Sequence, residues 1–422
     1  MKAAFYESDI TPPLGCYITG YGCDRRGNDV YDRLYSKALV LEQDGQCAVI
    51  ISVDICEYPP EMPEIVCKRI FEFTGIPADC ISISSTHTHY GAPVSDDPSI
   101  GCYGDNAYKD VFYRLVADSA ILAFKRLRES TLSFGSVCVD GVAFSRCSYL
   151  KDGTLKSFAP TEDIDRPLTE PDRELPVVFV EQDGKAVGAI YAFCCHQDTV
   201  SIRPTGYSGD YSSAVSDELK KKFGSDFVGI YLPGPSGDIN NSNTTDRSQT
   251  LDHRQIGKVL ADAIVRAKAS AVAIDGEFKV VKEPISIAKR KLTQEEFEEM
   301  LADFTKRKVG NFRINNLMSY HICDKDDFAN LFVQIISVGD FAMFIYPGEM
   351  FVAYSHRTKE ASPFKHNMVV ENSNGYGGYI PVPEAFADFA DLYETSLAYD
   401  SFLVPEAGEM LFEKMMELAS DL

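Results

Sequence analysis

The sequence predicts an α/β fold of the mixed (α+β) kind, with mixed β-sheets flanked by helices. Three observations carry this. Strand-length apolar runs recur in pairs from the N-terminal region to the C-terminal third. Stretches with helical periodicity lie between them. No Pro/Gly/Ser-rich linker divides the chain, so residues 1–422 are expected to form one domain.

The first strand pair is Ala38 to Leu41 with Ala48 to Val53, around Gln43-Asp44-Gly45-Gln46. The second is Val177 to Val180 with Ala186 to Phe193, around Gln182-Asp183-Gly184-Lys185. Asp-Gly between apolar runs marks a hairpin, because tight turns need positive φ. A third pair, Leu331 to Val338 with Phe341 to Tyr346, flanks Gly339-Asp340. The first two share Glu-Gln-Asp-Gly, a slender hint of an internal repeat. Helices are read from Phe112, Val116, Ala120, Ala123 and Leu127, and from Ile256, Leu260, Ala263 and Ala267. Thr293 and Glu296 form a capping box ahead of Phe297, Leu301 and Phe304. Leu411, Met415, Leu418 and Leu422 make a terminal amphipathic helix.

Composition narrows the function. Lys plus Arg is 41 and Asp plus Glu is 63, for a formal charge of −22, with no basic block. That charge opposes nucleic acid and anionic membranes as partners. Met1-Lys2 opens no apolar stretch of the roughly 7–15 residues a secretion signal needs. The longest apolar run, Cys47 to Cys56, is broken by Ser52 and Asp54, well short of the ~20 residues of a membrane span. A soluble, cytoplasmic protein without membrane insertion is expected, and a homo-oligomer is compatible with the composition. The 12 cysteines are scattered without a CxxC pair, so free thiols are expected.

Five apolar runs end in polar clusters: Thr86-His87-Thr88-His89, Cys194-Cys195-His196-Gln197-Asp198, Leu232 to Asn240, Pro347-Gly348-Glu349, and Glu371 to Tyr379. Sites in α/β proteins gather beyond the carboxyl ends of strands. His-x-His on a continuing strand would put both imidazoles on one face. His87 or His89, His196 and Glu349 supply two imidazoles and a carboxylate, a zinc-type donor set with room for water. The chain has 7 histidines, and three sit at these ends; His253, His321, His356 and His366 have no such setting. Gly234-Pro235-Ser236-Gly237 lacks the lysine of a phosphate loop. Cys195 and His196 are adjacent on a strand and so point apart.

The chain resembles the catalytic domain of the neutral (non-lysosomal) ceramidases and their bacterial homologues. The resemblance rests on Asp9-Ile10-Thr11-Pro12-Pro13, Val53-Asp54, Ser85-Thr86-His87-Thr88-His89, His196, Gly237-Asp238, Pro347-Gly348-Glu349 and Asn374 through Tyr379. It implies zinc-dependent hydrolysis of an N-acyl amide. It also implies His87, His196, Glu349 and Tyr379 as zinc ligands, Tyr376 being the alternative to Tyr379. His89, Arg146 and Tyr393 would be catalytic, with Arg146 or Tyr393 stabilising the oxyanion and His89 moving the proton. Asp238 and Asn240 would contact substrate, and Asp54 or Asp238 would orient a ligand imidazole. The chain departs from the family in having Asn240 where ceramidases have Ser, and Gln197 where they have Pro. The C-terminal immunoglobulin-like domain is expected to be absent. The expected substrate is therefore a small amide rather than ceramide. The alternatives are a zinc-dependent esterase or carbohydrate-modifying enzyme, and a non-catalytic ligand-binding homologue.

Overall fold

The computed structural model describes all residues except 22–24, 96–104, 201–204, 307–310 and 324–325. The two Asp-Gly turns close as expected: Asp44 and Gly45 have φ of 54° and 86°, and Asp183 and Gly184 have 50° and 75°. Both central residues are left-handed, which matches the twist of the flanking strands.

Each predicted hairpin belongs to a larger unit. In the first, β1 (Lys2–Asp9) pairs with β2 (Tyr35–Gln43), which pairs with β3 (Gln46–Val53). The helix Met62–Thr74 then leads to β4 (Ile81–Ser85), parallel to β3. In the second, β5 (Thr131–Cys138), β6 (Glu174–Gln182) and β7 (Lys185–Phe193) are antiparallel in that order. The helix Asp210–Phe223 leads to β8 (Val228–Pro233), parallel to β7. The third repeats the plan with β9 (Phe278–Ala288), β10 (Phe328–Val338), β11 (Phe341–Ile345), the helix Ala353–Ala361 and β12 (His366–Val370). The tetrapeptide shared by two turns thus marks an arrangement that occurs three times.

The three sheets bury both faces. Along β2, Leu39 and Leu41 join a central cluster, while Ala38 and Val40 face helices. Along β6, Val178 and Val180 face the centre; Val177 and Phe179 meet Val215 and Leu260 of the helices outside. Along β11, Met343 and Ile345 face the centre, and Phe344 joins Leu411 and Met415 of the terminal helix in the outer cluster. The period of two sorts each strand between layers, and burial on both sides explains why the strands read as continuous apolar runs. Each such Leu, Val, Ile, Met or Phe side chain contributes about 1.5–3 kcal/mol on burial.

This packing brings the carboxyl ends of β3, β4, β7, β8, β11 and β12 together. Their loops bond to one another: Glu371 N–H donates to Pro233 O (2.8 Å), Ser85 N–H to Asn372 O (3.0 Å), and Asn372 N–H to Gly348 O (3.0 Å). The described cysteines are free thiols. No described helix is long and apolar enough to cross a membrane.

Candidate metal centre

Each sheet delivers one side chain to a common point. His87 follows β4, His196 follows β7 and Glu349 follows β11. Glu349 Oε2 lies 3.5 Å from His87 Nε2 and 3.3 Å from His196 Nε2. All three residues are buried.

Main-chain carbonyls set the two imidazoles. His87 Nδ1 is 3.0 Å from Cys56 O, and His196 Nδ1 is 2.7 Å from Ser236 O. A carbonyl only accepts, so each Nδ1 carries a hydrogen, which leaves each Nε2 as the nitrogen aimed at the shared point. Burial, then Arg146 and His87, hold the His196 pKa well below its usual value, keeping that ring neutral. His196 Nε2 and Glu349 Oε2 are buried with no hydrogen-bond partner. Two imidazole nitrogens and a carboxylate oxygen at one buried point fit a divalent metal ion. A second grouping, Cys56 with His87 and His89, shares His87, but burial raises the Cys56 thiol pKa well above its usual range.

The route by which His87 and His89 meet differs from the expected one. The strand β4 ends at Ser85, and His87 has φ of 62°. The segment is a turn, pinned where Gln197 Nε2 donates to Thr86 O (2.7 Å) and Thr88 Oγ1 to Ser208 O (2.7 Å). The turn still brings His89 Nε2 to 3.3 Å from His87 Nε2. Burial, with His87 and His196 next, holds His89 well below its usual pKa.

His87, His89, Glu349, Tyr376, Tyr379 and Tyr393 line a cavity of about 80 Å³. The Tyr379 ring lies parallel to His196, with centroids 6.5 Å apart, whereas Tyr376 stacks on Tyr399. Tyr393 reaches the cavity with its hydroxyl donating to Asp400 Oδ2 (2.8 Å).

Arg146, Asp238 and Asn240 lie behind this surface. Arg146 Nε donates to Glu394 Oε1 and Nη2 to Gly237 O, both at 2.7 Å, and its guanidinium sits 5.3 Å from the Tyr379 ring centre. Asp238 Oδ1 accepts from Val352 N–H (2.7 Å), and its carbonyl from Arg146 N–H (2.8 Å). Asn240 Oδ1 accepts from Ser242 N–H (3.0 Å) within its own loop. Neither Asp54 nor Asp238 orients a ligand imidazole; Asp54 accepts from Tyr35 N–H and Thr86 Oγ1 instead. Carbonyls took that role because the ligand rings point into loops, where main-chain oxygens are nearest.

Sequence reasoning missed those carbonyls, which carry no residue signature. It placed Glu371 at a strand end without a task. Glu371 Oε1 accepts from Ser236 N–H (3.0 Å) and Oγ (2.6 Å), fixing the peptide that holds His196. Gly237 is required by close approach: a Cβ there would lie 2.4 Å from Glu349 O.

Burial raises the Asp238 pKa to about 7, with Val352 N–H opposing; an unfolded Asp titrates near ~3.9. The folded state binds this proton more tightly. The stabilisation is present below the unfolded value and lost as pH rises through about 7. Asp238→Asn keeps an acceptor for Val352 and removes the titration. Its stability relative to wild type is expected to improve by roughly 2–3 kcal/mol between pH 5 and pH 8. Denaturant titrations at both pH values check this, and a pH-independent difference would count against it.

No family model and no curated relative matches the sequence. Solved structures match the fold. The neutral ceramidase of Pseudomonas aeruginosa superposes with a TM-score of 0.77 at 17% identity, covering 99% of this chain and 74% of that one. A ceramidase complexed with C2 gives 0.75 at 16% identity, with coverage of 99% and 74%. The chain therefore has the neutral ceramidase fold.

Proposed function

We propose that the protein is a zinc-dependent hydrolase that cleaves the N-acyl bond of a small amide. The observation that carries this is the buried convergence of His87 Nε2, His196 Nε2 and the unpartnered Glu349 Oε2. His87, His196 and Glu349 would hold the ion, with Tyr379 as the adjoining phenol. Zinc supplies Lewis acidity and a water acidified toward neutral pH.

The chain's own groups do the rest. The Cys56 and Ser236 carbonyls keep both ligand rings in the tautomer that presents Nε2. His89, neutral beside the ligands, takes up the proton released as water adds to the carbonyl and gives it to the leaving amine. The Tyr393 hydroxyl lines the cavity and, on releasing Asp400, donates its one hydrogen to the substrate carbonyl oxygen. Arg146 serves as a positioning residue behind Tyr379, with its Nε held by Glu394 and its Nη2 by Gly237 O. The cavity of about 80 Å³ supports a small substrate, being well below the usual 300–1,000 Å³ of ligand sites.

The zinc-loaded protein is expected to hydrolyse short N-acyl amides faster than long-chain ceramide in a panel that also contains esters and acylated sugars. Efficient ceramide hydrolysis would overturn the substrate assignment. Turnover of esters or sugars alone would overturn the amide assignment. Bound metal with no turnover of anything would favour a ligand-binding homologue.

A further inference from the structure

A second cavity, of about 290 Å³, shares no lining residue with the cavity at the metal centre. Strand β2 and the helices Asp210–Phe223 and His253–Ala269 contribute to its wall. Its charged lining is Arg33, Lys37, Lys220 and Arg254 against Asp32 and Asp217. That is a cationic excess on a chain whose formal charge is −22.

Lys37 is the unusual member. It stands two residues before Leu39 on β2, and so on the face that Leu39 and Leu41 turn to the apolar centre. It is 9% exposed. Its Nζ donates to Ser216 Oγ (2.9 Å) and Gly229 O (3.2 Å), both neutral, and makes no ion pair among the described residues. The nearby carboxylates are engaged elsewhere. Glu7, opposite Lys37 in the β1–β2 ladder, gives its Oε1 to Lys220 (2.5 Å). Asp32 and Asp217 turn to Arg254, at 2.7 and 3.6 Å. Burial, the largest influence, pulls the Lys37 pKa down. A buried ammonium with neutral partners is costly until an anion meets it.

The rest of the wall suits such an anion. Ser213 and Ser216 add hydroxyls beside Lys37. The Tyr35 ring centre lies 5.7 Å from Lys37 Nζ and 5.9 Å from Lys220 Nζ. Donors from a strand, two helices and the loop at Arg33 surround a tetrahedral oxyanion better than a flat carboxylate. We propose that this cavity is a binding site for a phosphate group, free or as a monoester, with Lys37 as its buried anchor. Lys220, Arg254 and Arg33 complete the cationic wall, and Tyr31 and Tyr35 border the space beyond the phosphate. The site stands independently of the hydrolytic reading.

Calorimetry on wild type and Lys37→Met, as purified, would measure binding of inorganic phosphate, phenyl phosphate and acetate, with thermal melts of both proteins. Phosphate held at the metal centre is common to both, so their difference reports the second cavity. The phosphate Kd is expected to rise at least ~10-fold in Lys37→Met, the size of a lost hydrogen bond to a charged group. Phosphate should raise the wild-type melting temperature and leave that of Lys37→Met nearly unchanged. Arg254→Gln, which keeps the buried lysine, should weaken phosphate as well. Phenyl phosphate binding more tightly than the free ion would identify a monoester as the occupant, and equal binding would identify inorganic phosphate; both support the site. An unchanged phosphate affinity in either variant, no phosphate binding by wild type, or acetate bound as tightly as phosphate would overturn it.

Discussion

Arg146→Ala is expected to destabilise the protein by about 3–5 kcal/mol, because it leaves a buried carboxylate without its cation. Glu394 is fully buried, and its Oε1 lies 2.7 Å from Arg146 Nε. Its remaining partners, Ser157 Oγ and Cys147 Sγ, are neutral. Deletion of Arg146 also frees Gly237 O, on the residue packed against the Glu349 main chain. Removing both charges together, as Arg146→Met with Glu394→Gln, should cost less than Arg146→Ala alone, because no unpaired charge remains. Denaturant unfolding of the two variants measures the difference. A wild-type midpoint for Arg146→Ala, with activity lost, would instead assign Arg146 to transition-state stabilisation.

His196→Ala is expected to abolish both metal retention and turnover. Wild type should carry about one zinc per chain by elemental analysis, and the variant far less. Losing the ion removes several kcal/mol of transition-state stabilisation; at ~4 kcal/mol that is roughly a 10³-fold fall in kcat/KM. Metal-free samples of both proteins should melt within a few degrees of each other, since His196 meets Glu349 and Ser236 O only at the apex of the three sheets. Full zinc retention by the variant would overturn the ligand assignment.

The legible parts of this protein share one property: they are local in sequence. The Asp-Gly hairpins were readable because two residues fix a turn. Ile256, Leu260, Ala263 and Ala267 were readable because helical spacing puts them on one face, and all four are buried. The gathering of His87, His196 and Glu349 was suggested by a rule about strand ends, and the sheets bring these residues together. The roles of Arg146, Asp238 and Asn240 were less legible. What decides their engagement is Glu394, Val352 N–H and Ser242 N–H, and two of these three are main-chain donors. The continuation of β4 through the histidines failed for a related reason: Gln197 and Ser208 from another sheet pin that segment as a turn.

The three-sheet arrangement has a consequence for how the chain matures. His87, His196 and Glu349 come from different sheets, and the other grouping among the described residues, Cys56 with His87 and His89, offers no carboxylate. No single sheet, folded alone, can therefore chelate the ion with this triad. The site comes into being only when all three sheets have docked. An ion that binds the native state and not its precursors stabilises the native state by mass action. In a protein whose described cysteines are free, a metal held by this triad would act as the final fastener between sheets. Its uptake becomes a quality mark: a chain truncated or misregistered in any one sheet should emerge from folding without it.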